Sequence, residues 1–100
     1  MRYLYFVTTI RLYHAARIPK VELTDCRCIG FYEKLSNARW VILHNSLDEA
    51  GYYKYAVIEK FSPGWYPYSH FQEWYEYTRK GVKRIKKPRR FEKVCNFGIG

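Results

Sequence analysis

The sequence predicts an α+β fold: a mostly antiparallel sheet of about five to six strands packed by one helix, in the order β-β-α-β-β-β-β. Three observations carry this. Apolar and aromatic residues alternate with period two over several separate stretches. Only one stretch, following Ser36, has helical spacing. Turn signals at Pro63-Gly64 and at Arg79-Lys80-Gly81 punctuate the second half.

The elements follow in order. From Arg2 to Leu12 one face of a strand carries Leu4, Phe6, Thr8, Ile10 and Leu12, and the other carries Tyr3, Tyr5, Val7, Thr9 and Arg11. A loop over His14–Lys20 contains Pro19, and a second strand runs from about Val21 to Tyr32, with Gly30 at a bulge. Ser36 is the expected N-cap of the helix, whose stripe over Asn37–Leu47 is Ala38, Val41, Ile42 and Asn45. Tyr53–Phe61 is the clearest strand, with Tyr53, Tyr55, Val57 and Phe61 on one face and Ala56 and Ile58 on the other. Strands at Phe71–Thr78 and Val82–Lys86 enclose the Arg79–Gly81 loop; Pro88 ends the second. A helical turn at Arg89–Lys93 and a last extended piece at Val94–Ile99 complete the chain.

One helix covers only one face of such a sheet. The other face carries aromatics on several strands, so a second subunit, a ligand or the folded-back C-terminal segment must cover it.

With 100 residues, 48% of them hydrophobic, residues 1–100 make one small domain with room for a modest core. The aromatic content is 20%, including 11 Tyr. Net charge is +9, and it is concentrated. The hairpin region 78–93 holds nine basic residues against Glu92 alone, whereas the other 84 residues hold nine basic and eight acidic. Such a segment is either an anion site or an edge hairpin kept soluble by charge.

Catalytic patterns are missing, so the expectation is a binding protein and not an enzyme. His14, His44 and His70 lie far apart, and Cys26-x-Cys28 with a distant Cys95 has neither zinc nor disulfide spacing. No metal and no cofactor is expected. No Gly-rich phosphate loop occurs. Glu73 and Glu76, three apart on a strand, face opposite sides and cannot form an acid/base pair. The absence of a leader pattern and of a ~20-residue apolar run points to a cytoplasmic protein with reduced thiols and no membrane partner.

Gly30-Phe31-Tyr32, the run Ala38–Asn45, the run Tyr52–Lys60, Gly64–Pro67, Glu73–Tyr77, Lys87-Pro88 and the terminal NFGIG together resemble a group of small proteins encoded by bacteriophages and integrated prophages. The resemblance spans about residues 28 to 100. It implies a counter-defence factor of the bacterial host cell: a sponge that sequesters a nucleotide-derived immune signal without turnover, or a direct inhibitor of a defence protein. On that reading a homo-oligomer forms through the uncovered aromatic face. Trp65, Tyr68 and Trp74 would sandwich a base, Arg79 and Arg84 would hold phosphates, and Asn96 in the tail 94–100 would read a base edge or ribose. The basic hairpin equally fits a nucleic-acid-binding module.

Overall fold

The computed structural model describes residues 3–15, 17–44, 53–62 and 69–92. Strand β1 (Leu4–Ala15) turns back into β2 (Ile18–Tyr32), followed by helix α1 (Leu35–Leu43), β3 (Tyr55–Phe61), β4 (Ser69–Thr78), β5 (Gly81–Ile85) and a 3₁₀ turn, Arg89–Phe91. The strands form one antiparallel sheet in the order β2-β1-β3-β4-β5. The α+β class and, among the described residues, the single α-helix are as the sequence predicts. The expected last strand, 94–99, lies outside the described residues.

The expected alternation sets the two faces. Across β1, β3 and β4, Val7 pairs with Ile58 and Ala56 with Tyr75. These residues join Ala38 and Ile42 of α1 in one buried cluster. On the opposite face Thr8 pairs with Val57, Val57 with Trp74, and Trp74 with Ile85. There Ile10, Val57, Trp74 and Phe91 form the second cluster. Phe6 packs edge-on against Phe61 at 5.2 Å and against Phe31 at 5.8 Å, extending the apolar surface towards β2.

Three local expectations are corrected. First, α1 begins at Leu35, so Ser36 is inside the helix and is not its cap. Lys34 is the N-cap, with no side-chain cap bond; its carbonyl accepts from Asn37 N at 3.1 Å and Ala38 N at 3.3 Å. The phase is set by packing: Leu35, Ala38 and Ile42 face the sheet, which is worth more than one capping hydroxyl. Asn45 lies outside the described residues. Second, the hairpin loop is the pair Arg79-Lys80, because Thr78 already pairs with Gly81. The turn is tight enough to need φ +122° at Gly81. The Thr78 hydroxyl donates to the Gly81 carbonyl at 2.8 Å and accepts from Lys80 N at 3.3 Å. Third, β1 and β2 are longer than expected, running to Ala15 and from Ile18. β1 pairs with β3 only over Leu4–Ile10, so beyond Ile10 the two form a projecting two-stranded ribbon.

The face opposite α1 is covered over much of β1, β3 and β4. Thr8, Ile10, Val57 and Glu59 are fully buried and Trp74 is 2% exposed, all within one chain. The chain leaves β5, turns at Pro88 and lays Phe91 on Trp74, with ring centroids 5.4 Å apart and nearly parallel, and edge-on to Tyr55 at 5.9 Å. Arg90 then reaches Glu22 on β2, the far edge of the sheet. Of the three candidate covers, the folded-back segment is present over Trp74 and Tyr55, while Phe31, paired with Phe6 on the same face, is 63% exposed.

Candidate functional site

The residues with chemistry cluster on β4, β5 and the segment after them. Antiparallel pairing of β4 with β5 puts Tyr75 opposite Arg84 and Glu76 opposite Lys83. Because side chains alternate, Glu73, Tyr75 and Arg84 share the helix side of the sheet, and Trp74, Glu76 and Lys83 share the other.

On the helix side Glu73 is the centre of a charge cluster. Its side chain is 2% exposed. Arg39, from the turn of α1 above it, donates through Nε to Oε2 at 2.8 Å and through an Nη to Oε1 at 2.7 Å, a fork-to-fork pair. The Tyr75 hydroxyl donates to Oε2 at 2.5 Å. Arg84 adds a third contact at 3.1 Å. The Arg39 hydrogen bonds and, secondarily, that of Tyr75 hold the Glu73 carboxyl below its ordinary value against the opposing effect of burial. Burial, reinforced by Glu73, pushes Tyr75 up to about 12. Two guanidinium groups around one carboxylate leave a net positive patch whose cations are half-exposed to exposed.

These shifts have a sign. Glu73 is depressed in the fold, so the unfolded chain binds more protons around its ordinary value of 4.5. Its stabilisation is complete above that value and is lost as pH falls through the lower folded value. Glu76, depressed first by its bond from Lys54, acts in the same direction. We expect the urea midpoint to fall as pH is lowered below 4.5, and Glu73→Gln to flatten that slope. A midpoint independent of pH there would contradict the paired-carboxylate geometry.

On the opposite side of the sheet Trp74 donates Nε1 to Gln72 Oε1 at 3.1 Å, and Gln72 Nε2 donates to the buried Glu59 at 3.1 Å. This is a polar relay inside the second cluster.

Of the candidate ligand residues, the three that are described, Trp74, Arg79 and Arg84, do not converge. Trp74 is buried with one face against Phe91, so it offers no stacking platform. Arg84 lies on the other side of the sheet, engaged with Glu73. Arg79 sits at the exposed hairpin tip beside Lys80. Trp65, Tyr68 and Asn96 lie outside the described residues. What the hairpin does present is exposed cations at both ends of β5, Arg79 and Lys80 at the turn and Lys86 and Arg89 beyond Ile85. Arg79, Lys80, Lys86 and Arg89 are exposed, and none forms an ion pair among the described residues. An open depression of about 440 Å³ surrounds the turn, lined by Thr78 to Lys83.

Arg39 was not predicted from sequence, since nothing local links it to a glutamate 34 positions away. A second unpredicted feature is on the outer side of α1. Trp40 is 55% exposed and stacks on His44 at 4.2 Å; with Tyr32, Asn37 and Val41 it lines a shallow depression of about 290 Å³.

Cys26 and Cys28 are free and exposed on β2, and burial of its sulfur, followed by Asp25 and Glu59, raises the Cys26 thiol. Among the described residues no three His, Cys, Asp or Glu side chains gather as a metal site, and no helix is long and apolar enough to cross a membrane. Comparisons of the chain with protein-family models, with curated proteins and with solved structures find no match.

Proposed function

We propose that the protein binds an extended polyanion, a nucleic-acid strand in the first instance, along its β5 edge, and that it does so without catalysis. The observation that carries this is the set of exposed cations at the two ends of β5, Arg79 and Lys80 before it and Lys86 and Arg89 after it, without ion-pair partners among the described residues. They lie beside Lys83 and Arg84, whose carboxylate partners are shared with other cations. β5 is an edge strand among the described residues, so no described strand has to be displaced for a ligand to lie along it.

Each phosphate contact releases condensed counterions, so affinity should fall with salt with a log–log slope of about −0.9 per contact on duplex DNA and about −0.7 on single strands. Four contacts would weaken duplex binding roughly 100-fold or more between 50 and 200 mM salt. Arg79→Ala with Lys80→Ala should reduce the slope by about 2 and weaken all sequences alike. A flat salt dependence, or unchanged binding by the double variant, would count against this edge.

The compact-nucleotide reading, drawn from the resemblance to phage proteins, needs a stacking residue and an arginine on the same side. Trp74 and Arg84 are on opposite sides, and the other expected stacking residues, Trp65 and Tyr68, lie outside the described residues, so the exposed cations favour the extended ligand. A counter-defence role in a bacterial host is compatible with either ligand and remains part of the proposal on the strength of the resemblance alone.

A further inference from the structure

The two edges of the sheet are built differently. β5 is five residues long, and its edge is defended by Lys83 within it and Lys86 and Lys87 just beyond, the usual protection against sheet-to-sheet pairing. β2 is 15 residues long, and from Val21 to Tyr32 it contains neither lysine nor proline. Thr24, Asp25, Cys26, Arg27 and Cys28 are five consecutive exposed residues. They pair regularly with β1, from Leu12 opposite Thr24 to Thr8 opposite Cys28, and the register shift comes only after them. Neither Asp25 nor Arg27 forms an ion pair among the described residues.

We propose that this edge pairs with the β2 edge of a second copy of the chain, antiparallel about a two-fold axis at Cys26, giving a continuous ten-stranded sheet. The sequence is self-complementary about that position. Directly opposite residues share a face, so the axis passes through a residue. At Cys26, Asp25 of each copy faces Arg27 of the other, Thr24 faces Cys28, and Cys26 faces itself. Moving the axis one residue either way sets Asp25 against Asp25 or Arg27 against Arg27. Opposite charges across a strand pair contribute roughly 0.2–1 kcal/mol, and like charges oppose pairing. The charges therefore select one register, and five residues a side is an ordinary strand length. The bulge beyond Cys28 ends the match on one flank. This inference is independent of the proposed ligand.

Facing cysteines give a chemical readout. Opposed residues in an antiparallel pair have Cα atoms about 4.5–5.5 Å apart, within the range a disulfide spans. Native mass spectrometry of the full chain should show a dimer. Asp25→Arg and Arg27→Asp should each lose the dimer peak, and an equimolar mixture of the two should regain it as a heterodimer, because two cations of one copy then face two anions of the other. In a Cys28→Ser, Cys95→Ser chain, diamide should give a covalent dimer: two Cys26 thiols form one disulfide, and the reagent takes up the two electrons and two protons. A chain retaining only Cys28 should cross-link poorly. The proposal is overturned by a monomeric wild-type chain, by a dimer indifferent to both charge reversals, or by reversals that mixing does not rescue. The rescue also separates a lost interface from a lost fold, since misfolded variants would not recover on mixing.

Discussion

Trp74→Ala is expected to lower stability by about 3–5 kcal/mol, the cost of removing a large aromatic from a packed core. Trp74 is 2% exposed, paired across the strands with Val57 and Ile85 and stacked on Phe91. Alanine would leave a cavity walled by two strands on one side and the 3₁₀ turn on the other, and neither wall can close it without losing register. Small domains have about 5–15 kcal/mol in total, so the variant should be marginal, with a melting temperature lower by roughly 12–40 °C. Trp74→Phe keeps the stack but loses the Nε1 bond to Gln72, so it should cost only about 1–2 kcal/mol. Urea melts of both variants test this. If alanine cost under about 1 kcal/mol, the residue would be behaving as a surface platform, and the base-stacking role expected of it from sequence would return.

The second large effect concerns Arg39. Breaking a buried ion pair by removing one partner typically costs about 3–5 kcal/mol, because the remaining charge is stranded. The two partners here are unequal. Glu73 is 2% exposed, whereas Arg39 and Arg84 are 42% and 67% exposed. Arg39→Ala leaves a buried carboxylate with only Arg84 and Tyr75, so it should cost about 3 kcal/mol, the low end of that range. Glu73→Gln leaves cations that water can reach and retains an acceptor for Tyr75, so about 1–2 kcal/mol is expected. Arg39→Lys should fall between, since an ammonium cannot make the forked pair. Chemical denaturation of the three variants gives the order directly. If Glu73→Gln proved the most harmful, the burial asymmetry would not be what governs the cluster.

Both results concern residues whose type was plain in the sequence and whose partners were not. The strands were legible because alternation is local: the facing sets Leu4, Phe6, Ile10 and Tyr5, Val7 on β1, and Val57 and Ala56, Ile58 on β3, lie on the sides their spacing implies. The helix was legible in kind but not in phase, since Leu35, one residue before the serine expected to cap it, already packs against the sheet inside the helix. The burial of Trp74 was not legible because the residue that covers it, Phe91, comes from beyond the next strand and a proline. For the same reason Trp74 read from sequence as one wall of a ligand sandwich, whereas the chain itself lays Phe91 on it. The basic segment was visible as composition. Its division into cations paired with carboxylates, Lys83, Arg84 and Arg90, and the exposed Arg79, Lys80, Lys86 and Arg89 depends on where Glu76, Glu73 and Glu22 lie in space.

The contact between Arg90 and Glu22 spans 68 positions of the chain, which bears on how the molecule is made. During synthesis β1, β2 and α1 emerge first, and β3 can pair with β1 soon after. The surface of Ile10, Val57 and Trp74 then waits, wet and adhesive, until Phe91 leaves the ribosome. Contacts between such distant residues form late and slowly, and partly finished sheets with exposed apolar surface are prone to stick to one another. A translational pause before codon 91 would lengthen that exposed interval. Yield in the cell should therefore depend on how quickly the last tenth of the chain follows the rest.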